Sequence, residues 1–262
     1  MKFARMIVLT ALSVALAAPA AAVTREEATI ENALVVLREM QGMPDLQIPD
    51  QLLARAEGIV ILPANVKVGF WFGARFGNGV MLVRNAERQW SNPVFVNSGG
   101  GSWGLQAGGQ VSDIVLVLTT RQSVEGITDG KLTLGADASA AAGPVGRTAI
   151  ASTSPTFDSE VYAYSRSKGL FAGVSLEGNG IFISRKGNRR FYEGEGSAAA
   201  ILASKAAPPP PAGELVAEVT RITSVADART TEAPAAADVK TERPAEARTY
   251  PMADPEPGAE PR

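Results

Sequence analysis

Val96 to Asp113 reads VNSGGGSWGLQAGGQVSD, six glycines in eighteen residues around Trp103. Glycines reach that density for two reasons. A loop can wrap a phosphate in its backbone N–H groups, or strands can bend sharply and lie close to a neighbouring backbone. The phosphate loop needs Lys followed by Ser or Thr after the glycines, and a helix opening there. Neither follows: the next residues are DIVLVLTT, apolar and β-branched. Within the stretch, Gly104, Gln106, Gly108, Gln110 and Ser112 alternate with Trp103, Leu105, Ala107 and Val111. Apolar parity then passes to Ile114, Leu116 and Leu118. The stretch therefore reads as strand, with a β-bulge expected at Gly108-Gly109 to absorb the change of parity.

Period two continues on both sides. In VKVGFWFGARF, Val66, Val68, Phe70, Phe72 and Phe76 share one face, and Lys67, Gly69, Trp71, Gly73 and Arg75 share the other. Asn78-Gly79 offers a hairpin turn into VMLVR. GLFAGVSLEGNGIFISR repeats the plan, with Asn179-Gly180 as its turn. Helices bracket the strands. Thr24 to Met40 opens on a capping box, Thr24 with Glu27, and carries the stripe Ile30, Leu34, Leu37. Asp50 to Ala56 follows, with Ile48 as its staple and Leu52 and Leu53 facing inward. Further helical segments are expected at Ser123 to Ile127, Gly194 to Ser204 and Gly213 to Ala226, with Pro208 to Pro211 as a rigid spacer. The fold class is α+β and β-rich: a bent antiparallel sheet, sandwich or partial barrel, with helices at both termini.

The ends have their own compositions. Lys2 and Arg5, the apolar run Met6 to Ala17 and the small residues Ala20-Ala21-Ala22 form an export signal cut after Ala22, which places the mature chain in the periplasm or beyond. Residues 23–226 make the domain. Residues 227–262, rich in Pro, Ala and Glu, form a tail expected to be disordered. Setting aside Lys2 and Arg5 leaves 23 basic against 27 acidic residues, which gives nucleic acid no electrostatic footprint. The 262-residue chain has no His and no Cys. Triads built on His, Cys nucleophiles and N/S zinc sites are therefore excluded, and no catalytic residue, metal site or cofactor is assigned. A small outer-membrane barrel is disfavoured by 6% aromatics, too few for two girdles, and by the charged C-terminal tail.

The segments ARAEGIVILP, VKVGFWFGARFGNGVMLVR, WSNPVFV, GSWGLQAGGQVSDIVLVL, LGADASAAAGPVGR and VYAYSRSKGLFAGVSLEGNGI, from about Asp50 to Tyr192, resemble the SYLF domain family, a lipid-binding and actin-regulator module. The resemblance implies phospholipid binding without catalysis. Phosphoinositides are the ligands described for eukaryotic members, and actin filaments are bound by some fungal ones. An exported bacterial member meets no actin and normally no phosphoinositide, so a phospholipid or membrane surface of anionic kind is the expected partner. A protein or envelope-polymer partner is the alternative.

Phosphate recognition asks for cations. Arg185, Lys186, Arg189 and Arg190 flank Gly187-Asn188 and are expected to crowd a hairpin tip. Lys67 and Arg75 share a strand face with Trp71, an interfacial aromatic. Arg147 and Lys168 lie inside the family-like motifs. The helix from Thr24 carries Glu26, Glu27, Glu31 and Glu39 against Arg25 and Arg38, the wrong balance for anionic lipid, and is expected to pack on the sheet instead.

Overall fold

The computed structural model describes residues 23–43, 47–69, 72–103, 108–143, 158–167 and 178–232. Its elements, in chain order, are α1 (Arg25–Gly42), α2 (Asp50–Arg55), β1 (Gly58–Gly69), β2 (Phe72–Val83), β3 (Val94–Trp103), β4 (Gly108–Leu118), α3 (Arg121–Asp129), β5 (Lys131–Thr133), β6 (Ala140–Ala142), β7 (Val161–Ser167), β8 (Gly180–Ile183), α4 (Arg185–Phe191), α5 (Ala198–Ala203) and α6 (Ala212–Glu232). The eight strands form one sheet, β5-β8-β3-β2-β1-β4-β7-β6, antiparallel except at β6–β7. It curls into a half-barrel in which, among the described residues, the end strands β5 and β6 do not pair with each other.

Strand alternation buries both faces at one end of the sheet. Ile59, Ile61, Val80, Leu82, Phe95, Val115 and Val117 meet α1, α2 and α6 through Ile30, Leu37, Leu52, Leu53, Leu215 and Val219. Val60, Leu62, Met81, Val94, Val96 and Ile114 meet α3 and α5 on the other side through Val124, Ile127 and Ile201. The capping box of α1 forms as read: Thr24 Oγ1 accepts from the Glu27 N–H at 3.1 Å, and Glu27 Oε2 accepts from the Thr24 N–H at 2.7 Å. Its apolar stripe packs on the sheet, as its acidic polar face led one to expect.

The sheet bends on β1, not on β4. Register slips between Leu62 and Asn65 against β4, and between Ile61 and Val66 against β2, while Gly108 and Gly109 pair regularly with Gly69 and Val68. The bulge is therefore at Pro63-Ala64, opposite Asp113. A non-glycine residue at positive φ, Ala64 at 52°, is held there because its N–H donates to Asp113 Oδ1 at 3.0 Å. Asp113 also accepts from Arg166 at 2.9 Å, and Arg166 reaches Glu39 of α1, so the kink is tied to the helix layer.

The hairpin turn is displaced as well. β1 and β2 stay paired antiparallel as far as Gly69 and Gly73, and Asn78-Gly79 lies inside β2 opposite Asn97 and Val96. Gly79 has a different duty. A Cβ there would lie 2.0 Å from the Ile61 carbonyl oxygen, where β1 crowds in beside its bulge. Finally, α6 continues past Asp227 to Glu232. Asp227 accepts from Arg84 at 2.7 Å and Arg88 at 2.8 Å, two side chains that composition-based reading of the C-terminus could not see. Residues 233–262, most of the expected tail, lie outside the described residues, as does the signal.

Candidate functional site

Beyond the bulge, β1 to β4 run on together as a glycine-rich blade. Val66–Gly69 of β1 pairs with Gly73–Phe76 of β2 and with Gly108–Val111 of β4, and Gly73–Phe76 pairs with Gly99–Ser102 of β3. Four residues of strand make it roughly 13 Å long. Registered partners share a face, so the two faces can be assigned residue by residue.

One face is apolar and exposed. It continues the plane of the α1 and α6 side and carries Val68, Ala74, Phe76 and Val111, joined by Phe182 from β8 through its pairing with Asn97. Phe76 is 52% exposed, Val68 43%, Val111 37% and Phe182 36%. Scattered exposed apolar residues need no explanation, but four on one side of one blade form a patch. The other face is polar: Lys67 stands between Arg75 and Gln110, and Asn65 stands beside Ser112. Burial alone pushes the Arg75 guanidinium below its ordinary value.

The cation cluster is helical. Arg185–Phe191 forms α4, not a hairpin tip. Gly-Asn favours a turn locally, yet here both residues are drawn inward by β3. Gly187 packs against the Phe95 ring, and Asn188 Oδ1 accepts from the Phe95 N–H at 2.8 Å. With Gly187 and Asn188 buried, Arg185, Lys186, Arg189 and Arg190 are all turned to solvent. They form two i,i+4 pairs on one face. Arg190 pairs with Glu26 of α1 at 3.2 Å, whereas Arg185, Lys186 and Arg189 have no ion pair among the described residues.

Between α4 and the start of α1 lies a cleft of about 270 Å³. Arg25, Lys186 and Arg190 wall it, Glu26 sits among them, and Asn78 and Asn97 form its floor. Asn78 and Asn97 are the sheet neighbours of Phe76 and Phe182, so the cleft opens beside the apolar patch. Arg25, placed by sequence in a helix of unfavourable charge, was the cation that reading missed. Only the helix's approach to α4 brings it to the cleft.

The structure thus separates the sequence candidates. Arg185, Lys186, Arg189 and Arg190 flank the apolar face of the blade, and Lys67 and Arg75 line the opposite face. Trp71, Arg147 and Lys168 lie outside the described residues. Arg84, which the motifs did not single out, is a buried cation held over the Trp90 ring at 5.3 Å by contacts within the fold.

Residues 99–222 match the family model described as Ysc84, Las17-binding protein actin regulator. The chain is 38% identical over 185 residues to LAS seventeen-binding protein 3 of Saccharomyces cerevisiae, an overlap covering 70% of this chain and 40% of that protein. It is 37% identical over 185 residues to Protein YSC84 of the same yeast, covering 70% of this chain and 39% of that one. Against SH3 domain-containing YSC84-like protein 1 of Xenopus laevis it is 36% identical over 170 residues, 64% of this chain and 50% of the relative. The matched region therefore spans half or less of each relative's length.

Proposed function

The chain carries a domain of the Ysc84, or SYLF, family, and from that premise we propose that it is a non-catalytic module that docks on anionic phospholipid surfaces of the bacterial cell envelope after export. The observation that carries this reading is the juxtaposition of the exposed apolar patch, Val68, Phe76, Val111 and Phe182, with the exposed cations of α4. A bilayer surface offers that complement: anionic phosphates above, apolar chains beneath. The apolar face of the blade meets the headgroup layer, and α4 then lies level with the phosphates. Each Lys or Arg brought to an anionic surface contributes about 1 kcal/mol, so three or four outweigh the small net negative charge of the chain. No described helix is long and apolar enough to cross a membrane.

A vesicle titration of the chain from residue 23 to 262 tests the reading. Reversing two cations, R185E with K186E, is expected to weaken binding to anionic vesicles at least about thirty-fold, from about 2 kcal/mol of lost attraction. Thermal stability should be unchanged, because both side chains are exposed and unpaired among the described residues. Phe76→Asp should weaken binding comparably while leaving the salt dependence in place. Wild-type affinity in both variants would show that docking does not use this face.

A protein partner is the second reading, favoured by the relatives' names, which describe binding to Las17. For an exported chain the partner would be an envelope protein or polymer. Such binding would survive detergent removal of lipid, whereas bilayer docking would not.

A further inference from the structure

We propose that the apolar face of the blade and the cleft beside it also receive a segment of this same chain, Tyr250 to Glu256, which docks there in competition with the membrane. The proposal rests on the phospholipid reading above and assigns that surface its regulation.

The surface has a direction. Phe76 pairs with Gly99, and a Cβ on Gly99 would lie 3.6 Å from the Phe182 ring, so the two phenyl groups flank a glycine floor. Ala74, with its neighbours Val68 and Gly101, continues that floor toward the free end of the blade. The next row the other way is Asn78 and Asn97, the floor of the cleft walled by Arg25, Lys186 and Arg190. Same-face rows lie about 7 Å apart. Apolar surface therefore gives way to cationic surface within one row. Three cations against Glu26 leave the cleft with two net positive charges.

One stretch of residues 233–262 has the same order. YPMADPEP, from Tyr250 to Pro257, sets Tyr250, Met252, Asp254 and Glu256 at alternate positions, with proline or alanine between them. In an extended chain these four share one side, apolar first and acidic after. Pro251, Pro255 and Pro257 bias Tyr250, Asp254 and Glu256 toward extended backbone, which lowers the entropy lost on docking. Tyr250 to Glu256 then covers about 20 Å, or three rows of the sheet. Asp254 and Glu256 match the two net positive charges of the cleft. Val239, the other large apolar residue in 233–262, is followed by Lys240, a charge of the wrong sign.

The segment also reaches. α6 is anchored near its end where Asp227 meets Arg84, and Arg84 stands eight residues along the chain of β2 from Phe76, about 26 Å away. The described chain ends at Glu232, and Tyr250 comes eighteen residues later. A flexible chain of that length has a root-mean-square span of about 25 Å. Span and distance agree, which gives the segment an effective concentration at the patch of order millimolar. A contact with a dissociation constant near 1 mM is then about half formed. Bilayer docking has to displace it, and vesicle affinity falls in proportion to the fraction of chains with the face open.

The test titrates the chain from residue 23 to 262 with phosphatidylcholine vesicles carrying added phosphatidylglycerol, beside a variant with Tyr250→Ser and Met252→Ser, which keeps every charge. The variant is expected to bind about threefold tighter or more, since its face is no longer covered. A fluorescent peptide of residues 249–261, added to that variant, should bind with a dissociation constant of about 1 mM or tighter, and adding Phe76→Asp should abolish its binding. Equal vesicle affinity of the two chains, with no peptide bound, would overturn the contact and leave surface docking intact. A gain seen only with Asp254→Asn, Glu256→Gln and Glu260→Gln would overturn it too, because the segment would then act through charge alone. Self-association of the serine variant, lost with Phe76→Asp, would give the face to a second copy instead. Peptide binding with no vesicle binding by either chain would keep the contact and overturn membrane docking. Binding of neither peptide nor vesicles would overturn both.

Discussion

Gly79→Ala is expected to destabilise the domain by about 4 kcal/mol or more, lowering its melting temperature by roughly ten degrees or more. The added Cβ would lie 2.0 Å from the Ile61 carbonyl oxygen and 2.9 Å from Leu62 Cα. Both are backbone atoms of β1, at the point where the strand enters its bulge. No rotamer change relieves a contact of that kind, so either β1 moves away from β2 or the bulge is lost. Moving β1 disturbs Ile59 to Leu62, which are fully buried and belong to the cores on both faces of the sheet. Gly42→Ala is the control: nothing lies within 4 Å of its added Cβ, and the change should be neutral or slightly stabilising. Thermal melts of the two variants beside wild type decide the matter. Equal stability for Gly79→Ala would mean that β1 does not crowd β2 in this way.

Arg84→Ala should cost about 3 kcal/mol, the range for breaking a buried charge pair by removing one partner. The Arg84 side chain is 3% exposed. Its Nη2 donates to Asp227 Oδ2 at 2.7 Å, Nη1 donates to the Ala54 carbonyl at 3.3 Å, and Nε donates to the Arg88 carbonyl at 3.3 Å. Burial pulls the guanidinium below its ordinary value, and Asp227 acts against that pull. The one side chain joins β2, the end of α2 and the C-terminal half of α6. Lysine would not replace it, because three directed donors on a planar fork are needed. A chain ending at residue 226 loses Asp227 and should melt well below one ending at residue 232. If the two truncations melt together, Asp227 contributes nothing to the docking of α6.

The features legible in sequence were those set by neighbours along the chain. The Thr24 capping box, the stripe of α1, the Ile48 to Leu53 staple and the period-two faces around Val66 and Lys67 all appear where the local pattern puts them. The misread features are the ones decided by distant residues. Asn78-Gly79 has turn chemistry, but its glycine answers to Ile61 across the sheet. The change of apolar pattern after Gly108-Gly109 marks no slip in β4, whose two faces are both buried from Ile114 to Leu118; the bulge lies on β1, where Ala64 is held by Asp113, forty-nine positions away. Gly187-Asn188 also has turn chemistry, and Phe95, ninety-three positions away, makes it the buried side of a helix. The same holds for the candidate site. Sequence put Lys67 and Arg75 together because they share a strand face. Only the pairing of β8 with β3 brings Phe182 beside Phe76, and only α1 brings Arg25 to α4.

The measurement that bears most directly on surface docking is flotation of the chain from residue 23 to 262 with vesicles of neutral lipid alone, or with added phosphatidylglycerol, at low and high salt. The expected result is flotation with the anionic vesicles at low salt, reduced at high salt as the α4 cations are screened, and none with the neutral set. Absence of the protein from the floated fraction under every condition would contradict the account and turn attention to a protein or polymer partner.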